Sequence, residues 1–349
     1  MRIAHINWGL TSGGIETMLV NIINEQVINN EVLLIIISNR CDKSLLDKIS
    51  CKCHVVFCNR KKGSKNILPI IKLNAYLYKF HPDIVHLHAI TIYKLLLYHH
   101  NVVLTIHHSK LQSRISSKIK AVFAISNSVK KDIDQTGYLK SIVIENGIKV
   151  ENIKNKEYLS NNNDVFKFVQ TGSLIKAIKG QDLIIKAANI LYNQKKINNF
   201  SVHFIGEGID KKELVDLSIK LGLTNIIFFE GSKSQSYIFN HLKEYDCLIL
   251  ASRHEGFGLV VAEGMAAKLP VLVSNIEGPM EIIDNGRCGL FFQSDDEKDL
   301  AKMMESILQK GYDKNKIEMA YDKVKEKYDI KKTSQKYLYY YKLVIDGQI

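Results

Sequence analysis

Short apolar runs alternate along the chain with longer stretches whose hydrophobic residues recur at helical spacing. Such alternation predicts parallel α/β units rather than a bundle or a sandwich. In the first half the runs predict strands at Ile3–Asn7, Val32–Ser38, His54–Cys58, Ile84–His88, Val102–His107, Ala121–Ile125 and Ser141–Glu145. A polar, Asn-rich stretch from Val150 to Asp164 reads as a linker. A second series follows at Phe166–Gln170, Ser201–Ile205, Ile226–Glu230, Asp246–Ala251 and Val271–Ser274. The tail, Lys331–Val344, is Tyr-rich and helical in pattern, and it is expected to cross back to the first domain. The pattern predicts two Rossmann-like domains facing a central cleft. The first covers 1–155 with the returning helix at about 331–349, and the second covers 164–330.

The most informative stretch runs from Arg253 through Glu263 to Pro270. Glu255 and Glu263 bracket seven residues, with Gly256, Phe257 and Gly258 forming a glycine turn and Leu259 opening an apolar helix. Ligands of parallel sheets bind beyond the carboxyl ends of the strands, and free N–H groups of a helix start attract anions. Glycines there let the backbone approach a ligand closely. Glu255 in the loop can accept bonds from hydroxyls, and Glu263 inside the helix can reach a second hydroxyl pair. One anion site flanked by two such carboxylates suits a sugar, a diphosphate and a ribose.

Other candidates are weaker. Gly13 and Gly14 follow the first strand and precede a helix, so their N–H groups can approach a phosphate. The surrounding residues are not G-x-G-x-x-G, which argues against a nicotinamide cofactor. Lys179 before Gly180 reads as a diphosphate clamp, with Lys176 its rival. No G-K-[ST] follows, so triphosphate hydrolysis is not expected. His86 and His88 share one strand face, as a metal pair would, but read better as hydrogen-bonded neighbours. His107 ends its strand, where a cleft-facing contact to the reacting sugar belongs. Cys51, Cys53, His54 and Cys58 match no zinc spacing. Asp132 and Asp134 read as solvated helix charge.

Charge changes the picture in one respect. Of the net +12, residues 1–160 hold nearly all, with 22 Lys and Arg against 11 Asp and Glu. That asymmetry points to an anionic partner. Leu111, Ile115 and Ile119 lie four apart between Lys110, Arg114, Lys118 and Lys120, as in a short basic amphipathic helix suited to an anionic membrane surface. Arg60 to Lys65 is a second basic loop. Aromatic and basic residues do not interleave as in RNA-recognition modules, so no nucleic acid is expected. There is no export signal and no membrane-length apolar run, so a cytoplasmic chain is expected, working at the inner face of the cell membrane.

Taken together these residues resemble one family: the retaining, nucleotide-sugar-dependent glycosyltransferases of family 4, with the two-domain GT-B fold. Glu255 and Glu263 match its E-x7-E motif. Leu269–Asn275, Gly278–Ile283, Gly206–Gly208, Asn146-Gly147, Pro82–His86, Gly13–Glu16 and Ala124–Ser126 are similar to its other segments. The resemblance implies that Glu255 binds donor-sugar hydroxyls and stabilises an oxocarbenium-like transition state, and that Glu263 holds the ribose. It implies that backbone from Gly256 and Phe257 to Gly258 and Leu259 meets the diphosphate or sugar. Lys179 would offset the diphosphate charge, His107 would touch the sugar from the first domain, and Gly13 and Gly14 would line the cleft. It implies no metal and no cofactor, with a nucleotide sugar, UDP being the common base, as substrate. The expected acceptor is a glycan or lipid-linked glycan of cell-surface polysaccharide or lipopolysaccharide. An epimerase or hydrolase on the same fold, or an idle nucleotide-sugar-binding subunit, are the alternatives. Two departures stand out. Ser173 occupies the donor-site position where the family often has Arg, so that either Lys176 substitutes or the diphosphate clamp is weaker, and Gly264 replaces a usual Ala, which is expected to loosen that helix by about 1 kcal/mol.

Overall fold

The computed structural model describes residues 1–11, 13–108, 115–138, 141–157 and 165–349. The chain divides into two compact units, one of residues 1–148 with 327–349 and one of 149–326. All the excess positive charge lies in the first: it carries 24 Lys and Arg against 11 Asp and Glu, while the second carries 24 against 25.

The strands of the first unit are β1 (Arg2–Asn7), β2 (Glu31–Ser38), β3 (His54–Arg60), β4 (Ile84–Leu87), β5 (Val102–Ile106), β6 (Ala121–Ala124) and β7 (Ser141–Val143). They form one parallel sheet in the order β3-β2-β1-β4-β5-β6-β7. Its helices are α1 (Gly14–Gln26), α2 (Lys43–Leu46), α3 (Leu68–Phe80) and α4 (Asn127–Gln135). In the second unit β8 (Phe166–Thr171), β9 (Phe200–Ile205), β10 (Ile227–Gly231), β11 (Cys247–Leu250), β12 (Val271–Ser274) and β13 (Leu290–Phe292) pair in the order β10-β9-β8-β11-β12-β13. Its helices are α5 (Lys176–Lys179), α6 (Gln181–Asn189), α7 (Lys211–Lys220), α8 (Gln235–His241), α9 (Leu259–Ala266), α10 (Glu277–Ile282), α11 (Glu297–Lys310) and α12 (Lys314–Lys327). The last helix, α13 (Ile330–Ile345), returns to the first unit. In each sheet the strand order reverses once, between β1 and β4 and between β8 and β11. Such switch points open a crevice at the strand ends.

The strands read as continuous apolar runs because both faces of a parallel sheet are covered. Ile3, Val32, Leu34, Ile84 and Phe123 are fully buried in the first core, and Phe168, Phe200, Phe204 and Ile249 in the second. The pattern missed β13, a short strand of intermediate burial at the sheet edge. The tail helix turns Tyr337 and Tyr341 into the first core, where they are 0% exposed. Those two rings explain its Tyr-rich sequence.

Three expectations need correction. The stretch 150–157 is not free linker, because Asn155 donates to the Ala266 carbonyl at 2.7 Å and the Lys156 N–H to that of Ala267 at 2.8 Å. The division therefore falls at 148/149 rather than 155, and residues 158–164 lie outside the described residues. Of the basic amphipathic helix, Lys110, Leu111 and Arg114 lie outside the described residues, and 115–120 form a turn with Ile119 buried against the core. Gly264 is not a mere loosening of α9: a β-carbon there would meet Leu248 and Val271 at 3.1 Å, so the close helix–sheet approach uses the missing side chain. No helix of the described residues is long and apolar enough to cross a membrane.

Candidate active site

In the second unit the switch point gathers polar groups that nothing satisfies. Gln170 Oε1 and Thr171 Oγ1 at the end of β8, Gln181 Oε1 at the start of α6 and Ser252 Oγ after β11 are buried without a hydrogen-bond partner among the described residues. Buried polar atoms are nearly always paired, so such a cluster marks a place where a ligand completes the bonding. The backbone here is held tightly. Gln170 donates to the Lys179 carbonyl at 2.7 Å, and Gln181 to the Ser173 carbonyl at 2.9 Å. Gly180 is left-handed at φ 65°, and any β-carbon there would collide with the Ala251 carbonyl. Glycine at 180 thus lets α5 pass directly over the end of β11, bringing Lys179 to the strand edge.

Lys179 Nζ lies 2.6 Å from Glu255 Oε2, both side chains largely buried at 24% and 19% exposure. Two residues from separate sequence motifs thus meet as one pair. Gly258 caps α9 at φ 105°, a conformation that favours glycine, and Phe257 is buried beneath the turn. Leu259 begins the helix. Glu263 follows a turn later and is only partly covered. Its surroundings are nonetheless apolar enough that desolvation lifts its pKa to about 7. No side chain among the described residues pairs with it, so the carboxyl waits for donors that the protein does not supply.

Arg253 was overlooked as a site builder. Its guanidinium grips Asp182 bidentately at 2.8 and 2.9 Å, and it also bonds Asp295 at 2.8 Å and the Lys176 carbonyl. The bond with Arg253 helps hold the Asp182 carboxyl below its ordinary pKa despite burial. This brace ties α5 and α6 to the β11 loop. An Arg directly after a buried strand, two residues before Glu255, was the available signal. Lys176 itself points elsewhere: its ammonium pairs with Glu213 of α7, and it lines a groove of about 590 Å³ with Asp182, Lys186 and Lys220. The structure does not bring it to the Lys179–Glu255 pair. Ser173 is exposed and supplies only its carbonyl to Gln181.

The first unit builds its switch point differently. His5 of β1, His86 of β4 and His88 and His107 just past β4 and β5 are all buried. Gln26 Oε1 meets His5 Nε2 at 2.7 Å, His5 Nδ1 meets His88 Nε2 at 3.0 Å, and His88 Nδ1 meets His107 Nε2 at 3.2 Å. Burial keeps all four imidazoles neutral, with His5 lowered to about 4 and His107 to about 3. A neutral imidazole donates from one nitrogen and accepts at the other. The Gln26 oxygen can only accept, so the protons run toward it and His107 Nδ1 ends the chain as a bare acceptor. That nitrogen is buried and has no partner among the described residues. Among the described residues, His5, His86 and His88 are the one group whose ligating atoms cluster as a metal would require. All six of their ring nitrogens are engaged, those of His86 by Tyr341 and Thr105. The cluster is therefore built as a hydrogen-bond chain. Gly13 caps α1 and Gly14 opens it, both exposed. Asp134 pairs with Lys130 at 3.3 Å, as solvated helix charge does.

Two switch-point sheets in one chain, one carrying a ligand-hungry polar edge, define a GT-B type of architecture. The profile described as Glycosyl transferases group 1 matches residues 151–326, and that described as Glycosyltransferase Family 4 matches 12–152. The chain belongs to the group 1 glycosyl transferases. It is 24% identical over 315 residues, 88% of each chain, to the lipopolysaccharide core biosynthesis glycosyltransferase LpsD of Rhizobium meliloti. To an uncharacterized glycosyltransferase of Methanocaldococcus jannaschii it is 30% identical over 187 residues, 53% of this chain and 49% of that protein. The chain thus spans about half the length of that relative. Among solved structures it is similar to Anabaena HepE in complex with UDP and glucose, at a TM-score of 0.77 and 18% identity, covering 96% of this chain and 98% of that one.

Proposed function

We propose that the chain transfers a sugar from a nucleoside diphosphate donor, UDP-linked as in the HepE complex, to a hydroxyl of a glycan or lipid-linked glycan, with retention at the anomeric carbon. The observation that carries this reading is the Lys179–Glu255 pair at 2.6 Å beside the unpartnered polar edge of β8 and β11. A diphosphate reaching Lys179 draws its charge away from Glu255, whose carboxylate is then available to the hydroxyls of the donor sugar. Glu263, with no donor of its own, suits the paired hydroxyls of a ribose. In this reading the positive end of α9 and Lys179 take up the charge of the leaving diphosphate. Retention by double displacement needs a carboxylate nucleophile at the anomeric carbon. In this reading no carboxylate takes that position, since Glu255 is given to the hydroxyls of the donor sugar. Front-face attack follows, with the leaving diphosphate taking the acceptor proton and the protein contributing position and charge. His107 stays neutral, so its unpaired Nδ1 can accept a hydrogen bond but is no acid.

Incubation with labelled nucleotide sugars and candidate acceptors, read by mass spectrometry, tests the activity. Glu255→Ala is expected to lower turnover by about a thousandfold, in the range that losing one preorganised charge contact costs. Near-normal turnover in that variant would remove the assignment. Release of free sugar, or an epimer, in the absence of acceptor would favour a hydrolase or epimerase instead.

A further inference from the structure

The single tryptophan of the chain, Trp8, follows β1 and lines a cavity of about 630 Å³ within the first unit. Around it stand Arg40 after β2, Arg60 at the end of β3, Lys61 and Lys62 in the next turn, and Glu16 of α1. Two strand ends therefore deliver four cations to one hollow, with Trp8 from a third and the carboxylate of Glu16 from α1. The indole is pinned, since Trp8 Nε1 donates to Thr91 Oγ1 at 2.8 Å. The loop is tied by Arg60 Nη2, which donates to the Ser64 carbonyl at 3.2 Å. The other guanidinium nitrogen, Arg60 Nη1, is buried with no partner among the described residues. Arg40, Lys61 and Lys62 likewise have no carboxylate partner there. Glu16 faces the hydroxyl of Thr11 at 3.3 Å and can accept from a ligand hydroxyl as readily.

Four cations beside a single carboxylate leave a net positive charge, and an anion relieves their mutual repulsion. A flat indole beside them offers the apolar face on which a sugar ring packs. We propose that this cavity receives the acceptor, and that the acceptor is an anionic saccharide: a sugar bearing a phosphate or carboxylate group, its ring against Trp8 and its anion among Arg40, Arg60, Lys61 and Lys62. The proposal rests on the glycosyltransferase reading and names the substrate class for its acceptor side. It gives a role to the basic loop at Arg60–Lys65 and to a part of the charge excess of the first unit.

Because Trp8 is the sole tryptophan, its emission reports this cavity directly, with no need for turnover. The full-length chain is titrated separately with glucose 6-phosphate, glucuronate, glucose, inorganic phosphate and phosphatidylglycerol vesicles. The two anionic sugars are expected to change Trp8 emission saturably and to bind about tenfold tighter than glucose or phosphate alone, as charge-assisted contacts added to ring packing require. Lys61→Gln with Lys62→Gln should weaken the anionic sugars by about tenfold and leave glucose unchanged. Equal affinity for glucose overturns the proposal, as does equal affinity for inorganic phosphate, which marks an unspecific anion site. A response to vesicles with none to soluble sugars overturns it in favour of a membrane surface. A parallel thermal-shift titration with UDP keeps the two readings apart. A UDP shift with no response to anionic sugars sinks only this proposal, whereas indifference to UDP counts against the donor reading whatever the cavity binds.

Discussion

The two units share a winding and reverse their strand order at equivalent places, yet they fill that place in opposite ways. The first buries four neutral histidines and bonds them to one another and to Gln26, Thr105 and Tyr341. The second leaves Gln170 Oε1, Thr171 Oγ1, Gln181 Oε1 and Ser252 Oγ unpaired and a carboxyl, Glu263, without a donor among the described residues. Of the bonded group in the first unit only Gln26 Nε2 and His107 Nδ1 lack a partner among the described residues, so that edge largely holds its own shape. An unsatisfied edge is finished by what binds it. Their stabilities should therefore respond to pH with opposite sign.

The largest effect is expected in acid. The folded pKa values of His5, His86, His88 and His107 lie below the ordinary value. Their contribution is fully present above about pH 6.5 and is lost as pH falls below it, because the unfolded chain gains protons that the folded one refuses. With all four counted, the slope reaches up to about 5 kcal/mol per pH unit. Asp182 in the second unit titrates only further into acid. Trp8 emission, confined to the first unit, should thus change at higher pH than far-ultraviolet circular dichroism of the whole chain. Coincident transitions would break the contrast between the units.

Glu263 has the opposite sign. Its folded pKa of about 7 exceeds the unfolded 4.5, so its contribution is present below pH 4.5 and lost as pH rises to 7. The loss is at most about 3 kcal/mol. Glu263→Gln should be more stable than the parent at pH 8, equal to it near pH 4.5, and weaker for UDP in calorimetry. A variant that is less stable at pH 8 would mean that an internal partner already satisfies the carboxylate.

A smaller effect sharpens the other half. Gln26→Leu removes the acceptor that orients the imidazole chain and leaves His5 Nε2 unpaired, at a cost of about 1–3 kcal/mol. The nitrogen-15 shifts of His107 should then report a mixture of tautomers in a still-folded chain. Unchanged shifts would show that the polarity is imposed elsewhere, for example through His86 and Tyr341.

Much of this was legible in the chain itself. Apolar runs bounded by polar helical stretches suffice for two parallel sheets, since only a sheet covered on both faces needs such runs. The spacing of Glu255, Gly256, Gly258 and Glu263 already described a carboxylate at each end of a glycine turn, because turn and helix start are local geometry. What tertiary structure decided concerns residues distant in sequence. His5 joins His86 and His88 across 81 and 83 positions, Arg60 reaches Trp8 across 52, and Lys179 reaches Glu255 across 76. It also decided that Lys176 turns to Glu213, that Gly264 is a packing contact, and that 150–157 belongs to the second unit. Parallel strands deliver their carboxyl ends to one edge whatever the length of the crossover between them. Local pattern can therefore announce each strand end, while only the strand order determines which ends become neighbours.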